Sequence, residues 1–177
     1  MLALLAAPAS HAQNTQTKTT FLVTDAGIGR LNGRTTYAPQ SVSAALGGMP
    51  VTEIKLNFGT FVLPALEAAR DGKRMLLAFK REGGLGISRA VTYAPESVTT
   101  TGVSVGMPMA KVFHRLPDQH CRNGLDQEHG LVFCPAPDMS NVRLEFRCNY
   151  ATRDDVLPPA AVLAKCPVEG IIWISSE

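Results

Sequence analysis

Four cysteines, Cys121, Cys134, Cys148 and Cys166, lie in the last third of this 177-residue chain, and His114, His120 and His129 lie around them. Thiolates and imidazoles are the usual ligands of zinc, and structural zinc sites space their cysteines as CxxC or close to it. No CxxC occurs here. An even set of cysteines in an exported chain implies disulfides instead. Asp118 adds a carboxylate near the histidines. His114, Asp118, His120 and His129 nevertheless fit no metal spacing, and His114 falls on the polar face of a predicted helix. They are read as solvated, and neither a metal nor a cofactor is expected.

Asp25-Ala-Gly-Ile-Gly29 after a predicted strand is a weak dinucleotide-loop signal. Such a loop must open directly into a helix within a parallel βαβ unit. Arg34-Thr-Thr-Tyr37 is no helix start, so the signal is set aside. No nucleophile elbow, HExxH or paired-carboxylate pattern is present, and no catalytic residue is assigned.

The segments that position these groups read as strands with three short helices among them. Thr20–Thr24 and Val51–Asn57 read as strands. Thr60–Arg70 has helical propensity, but Asp71-Gly72 between two apolar runs is a hairpin signal. Two antiparallel strands are therefore favoured, the second with Met75, Leu77 and Phe79 on one face. Gly86–Tyr93 and Leu131–Cys134 follow as strands. Val142, Leu144, Phe146 and Cys148 alternate with Arg143, Glu145 and Arg147, as in a strand with one apolar face. Ile171–Ile174 is apolar on both faces and reads as a central strand. Helices are expected over Pro39–Leu46, Met109–Leu116 and Pro158–Lys165; the second has Met109, Val112, Phe113 and Leu116 at helical spacing. The sum is an α+β fold with a mainly antiparallel twisted sheet and two disulfides.

A hairpin turning near Pro135–Asn141 would set Cys134 opposite about Asn141 or Val142, far from Cys148. That argues against a Cys134–Cys148 bridge. The local pairing, Cys121–Cys134 with Cys148–Cys166, is favoured, and each bridge would contribute about 3 kcal/mol.

Leu2–Ala9 is apolar and Ser10-His-Ala12 supplies small residues at −3 and −1, as in a signal peptide over residues 1–12. No Lys or Arg precedes the run, which points to a start further upstream. Residues 13–19 form a polar linker, and 20–177 fit one domain by length. No lipobox cysteine stands at the cleavage position. No later segment is a transmembrane candidate. The net charge of +2 is scattered, which disfavours nucleic acid as a partner. A periplasmic location is expected.

Thr36-Tyr-Ala-Pro-Gln-Ser-Val42 recurs as Thr92-Tyr-Ala-Pro-Glu-Ser-Val98. Each copy follows a Gly-x-Gly, but the first leads into a helix and the second into a glycine turn, so chance similarity is the favoured reading.

Four stretches together resemble the YfeY-like family of bacterial envelope lipoproteins, which carries a domain of unknown function. They are Asp25–Leu46, Ile87–Gly106 with the following helix, the Cys121 and Cys134 pair, and Gly170-Ile-Ile-Trp173. The resemblance implies a bridge between Cys121 and Cys134. Cys148 and Cys166 are extra to the family pattern, and their joint appearance supports a bridge between them. The resemblance brings no activity, substrate or catalytic residue. The expected function is non-enzymatic binding of another envelope macromolecule, or envelope maintenance; a periplasmic hydrolase, or an inhibitor of one, is the alternative. Tyr37, Tyr93, Gln119, Arg122 and Asp126 are the candidate binding surface, the last three from the loop Gln119–Gly130 that an inhibitor would present.

Overall fold

A computed structural model describes residues 21–59, 61–116, 120–124, 128–150 and 156–176. The predicted leader and linker lie outside them, as do Asp118, Gln119 and Asp126.

The main sheet is built from hairpins. Strand β3 (Val51–Phe58) returns through a two-residue connection as β4 (Phe61–Arg70), and Asp71-Gly72 returns β4 as β5 (Lys73–Lys80). Asp71 and Gly72 both take positive φ, 52° and 72°, as a type I′ turn requires. The alanines of β4 favour helix, but pairing with β3 and β5 overrides a propensity of this size. Pro64 costs no ladder bond. It stands opposite Lys55 in a part of β4 that extends beyond the β5 pairing.

Strands β6 (Ile87–Thr92), β9 (Leu131–Pro135), β10 (Val142–Arg147) and the two-residue β8 (Arg122–Asn123) complete the sheet with β11 (Val168–Ile174). The order is β3-β4-β5-β6-β11-β10-β9-β8, antiparallel throughout. The doubly apolar β11 is central, as its composition required. A smaller sheet joins β1 (Leu22–Thr24) to β2 (Gly27–Ile28) and, in parallel, to β7 (Val98–Thr99). The Asp25–Gly29 segment is thus the bend of an antiparallel ribbon, with no helix behind it.

One face of the main sheet is covered. Helix α1 (Pro39–Ala45), the small sheet, α2 (Met109–Val112) and α3 (Ala160–Leu163) pack there over Leu66, Leu76, Ile171, Trp173, Leu144 and Phe146. The other face carries a smaller cluster of Ala65, Leu77, Phe79, Val91, Phe133 and Ile172. Met75 belongs to the covered face, away from Leu77 and Phe79. Leu76 pairs with Ala68 and Arg74 with Ala69, so Met75 sits in a bulge that resets the alternation.

The predicted helix from Met109 to Leu116 is one turn long. Its first N–H groups are taken by tertiary partners: Met109 N donates to Cys166 O at 2.8 Å and Ala110 N to Ala164 O at 3.2 Å. Phe113 then leaves the helix in an extended conformation, and its ring tilts against Phe146 at 6.0 Å. An aromatic contact with the core replaces the second turn.

Both disulfides have the favoured pairing, Cys121–Cys134 and Cys148–Cys166. The register expected for Cys134 is corrected: it stands opposite Leu144, because pairing continues one residue further along β9, to Pro135 opposite Arg143, and the turn is centred later in the chain. Cys148 lies just past the end of β10, four residues beyond Leu144.

A polar tie joins the two sheets. Trp173 Nε1 donates to Asp25 O at 2.9 Å, and Asn141 N donates to Asp25 Oδ1 at 2.8 Å. Trp173→Phe keeps a ring in the core but loses this bond and some volume. It is expected to cost about 1–2 kcal/mol in urea unfolding followed by circular dichroism. No change in midpoint would show that the tie is energetically idle.

Candidate functional site

The face of the sheet on which no described helix packs forms a groove of about 560 Å³. Strand alternation supplies its floor: Leu77 and Phe79 from β5, Val91 from β6, Ile172 from β11, and Leu131 and Phe133 from β9. Leu56 and Phe58 of β3 close one side. The same alternation brings charge into it. Arg89 comes from β6 and Glu145 and Arg147 from β10; Glu169 enters from β11 at the irregularity where Glu145 pairs with Gly170 and Phe146 with Val168, and Tyr93 follows β6 and Glu128 precedes β9.

Glu145 is the least expected of these. It is only 7% exposed, and no hydrogen bond reaches its carboxylate among the described residues. It stands opposite Gly170, which has no side chain to fill the space above β11. A Cβ at Gly170 would lie 3.1 Å from Tyr93 Cε1 and 3.1 Å from Val91 Cγ1. Glycine there lets the Tyr93 ring lie across the strand beside Glu145.

Burial is the main cause that raises the Glu145 carboxyl from 4.5 to about 7. The negative charge of Glu169 adds to it, and so to a lesser degree does Glu128; Arg147 and Arg89 oppose it. Burial also raises the Tyr93 phenol, helped by Glu145. It lowers Arg89, against the pull of Glu128, Tyr93 and Glu145. The Arg89 guanidinium lies 4.2 Å from the centre of the Phe79 ring, a cation–π contact that replaces part of its lost hydration. Arg147 is committed to Glu169 through a two-pronged pair, Nε–Oε2 at 2.5 Å and Nη2–Oε1 at 2.9 Å. At the far end Arg74 Nε pairs with Glu67 Oε2 at 2.5 Å. The groove therefore combines an apolar floor, a carboxyl that changes charge near neutral pH, and an arginine held on an aromatic ring.

The candidate surface read from the sequence divides. Tyr93 enters the groove. Arg122, on β8, stacks over Phe133 at 5.2 Å and edges the same face. Tyr37 lies on the other face of the sheet, half-buried against the main core with its hydroxyl enclosed and without a hydrogen bond among the described residues. The two tyrosines of the repeated motif share no surface. Their segments also differ: the first leads into α1, the second into a turn and β7. The first segment meets the Gly84-Leu-Gly86 stretch ahead of the second, since Tyr37 N donates to Leu85 O at 2.6 Å. His114, His120 and His129 are exposed, and no three His, Cys, Asp or Glu side chains among the described residues are placed to hold a metal ion.

Glu145, Arg89, Arg147 and Glu169 carried no motif. A signal existed all the same. A central strand apolar on both faces excludes water from both, so the charged alternate residues of its neighbours must line an enclosure.

These features define a disulfide-bridged α+β protein with a ligand-sized groove on the open face of an antiparallel sheet. The chain belongs to a family described as protein of unknown function DUF1131, whose pattern matches residues 11–175. The crystal structure of the uncharacterized protein YfeY from Escherichia coli is similar to it in fold, with a TM-score of 0.72 over 88% of this chain and 99% of that one, at 19% identity. No curated protein matches the chain. No described helix is long and apolar enough to cross a membrane, and the two disulfides are compatible with a location outside the cytoplasm.

Proposed function

We propose that this is an exported, non-enzymatic binding protein of the bacterial envelope. Residues 1–12 serve as its signal peptide, residues 20–177 form its working domain, and its place is the periplasm. Its groove holds an extended amphipathic segment of another envelope macromolecule. The observation that carries this is the open sheet face. It sets apolar side chains in rows under charged groups of both signs, as an extended segment with alternating apolar and charged groups would require. A photo-crosslinking phenylalanine analogue in place of Tyr93 is expected to capture a discrete partner in living cells. The same analogue at Tyr37 captures none. Equal products from both positions, or no product from position 93, would remove the reading.

One observation favours a second reading, a hydrolase. A buried carboxyl raised to about 7 beside two other carboxylates has the character of a general acid. Purified protein assayed on peptidoglycan fragments, peptides and esters decides it. Turnover that disappears in Glu145→Gln would establish the hydrolase, and absence of turnover leaves the binding role.

A further inference from the structure

We infer that the protein pairs with a second copy of itself through the free edge of β3, joining two sheets into one. This goes beyond the groove reading and does not depend on it. β3 is an eight-residue edge strand with an unbroken register to β4 and no bulge, and no other strand pairs with it among the described residues. The opposite edge, β8, has only two residues. A long, unbulged edge is a template for another strand.

The backbone sets which residues can take part. A two-residue connection makes Phe58 and Phe61, which flank it, a hydrogen-bonded pair. Even-numbered residues of β3 therefore bond to β4, and Ala69 N donating to Pro50 O agrees with that phase. Odd-numbered residues point their N–H and C=O groups outward. Glu53 and Lys55 are both of this class, both are exposed, and neither has an ion pair among the described residues.

An antiparallel self-pairing centred on Ile54 sets Glu53 of each copy opposite Lys55 of the other. Two cross-strand ion pairs form on one face, within hydrogen-bonded pairs. Sliding the register by two residues sets Glu53 against Glu53 or Lys55 against Lys55. Sliding it by one sets outward groups against inward ones, with no ladder bonds. One register alone satisfies charge and backbone together. Lysine on an edge strand usually deters pairing. Here the glutamate two residues earlier supplies the countercharge in the self-paired register. The two-fold axis stands perpendicular to the sheet, so both grooves open on one face, with the Leu56 and Phe58 sides adjoining.

Sedimentation of the disulfide-intact protein tests this. Wild type is expected to show a monomer–dimer equilibrium. E53K or K55E alone sets like charges opposite each other at both symmetric positions and raises the dissociation constant on the order of tenfold. The double variant E53K/K55E rebuilds both pairs and returns to near the wild-type constant. Unchanged circular dichroism confirms that all variants fold. A wild type that stays monomeric at every concentration overturns the inference. So does a dimer indifferent to the single reversals, or one weakened further by the double variant.

Discussion

Glu145→Gln is expected to raise the unfolding free energy at pH 8 by about 3 kcal/mol and to leave it almost unchanged at pH 4. The folded carboxyl titrates at about 7 and the unfolded one at 4.5. Between those values the folded chain holds a proton that the unfolded chain has released. Stability therefore falls as pH rises from about 4.5 to about 7, and the whole penalty is present above 7. Glutamine keeps the shape and cannot ionise, so the penalty disappears. Urea unfolding of both proteins at pH 4 and pH 8, followed by circular dichroism, reads the difference. Parallel pH profiles would mean that Glu145 ionises in the native state at no cost, against the burial described. If the groove binds its partner through this carboxyl, crosslinking from position 93 falls in the same variant while stability rises.

Replacing Cys148 and Cys166 together by alanine is expected to cost about 3 kcal/mol, the loop-closure entropy that the bridge removes from the unfolded chain. The bridge closes a sequence separation of 18. Both residues are buried, so the loss is not only entropic: the end of β10 and the segment after α3 also lose a packed contact. Denaturant midpoints of the double variant and of Cys121→Ala/Cys134→Ala measure the two bridges on one scale. The second closes a separation of 13, and its loss is expected to cost slightly less. A Cys148→Ala/Cys166→Ala variant as stable as wild type would show that local packing already holds α3 without the bond.

Alternation and turn chemistry made most of the sheet legible in the sequence. Asp71-Gly72 announced a hairpin against the helical composition of β4, and Ile171–Ile174 announced a central strand. What escaped was whatever depends on contacts between distant segments. The periodicity of Met109–Leu116 is helical, but Phe146 and the Cys166 and Ala164 carbonyls, all remote in sequence, decide where that helix stops. The bulge at Met75 exists only through the pairing of β4 with β5, and periodicity along one strand cannot reveal it. Arg143, Glu145 and Arg147 read as a wet outer face. Nothing local distinguishes a strand face in water from one in a groove closed by β3 and β9. The repeated Tyr-Ala-Pro segments looked like partners, yet chain direction sends one to each side of the sheet.

The place of β11 bears on the order in which this protein can be completed. Among the described residues it is the last strand along the chain, and the strand that joins the β3–β6 half of the sheet to the β10–β8 half. A chain emerging from its amino end holds two half-sheets with facing unpaired edges until residues 168–174 arrive. Trp173 reaches Asp25 only then. Contacts of such separation make folding slow. In topology, the sheet closes last at its middle, after both of its edges.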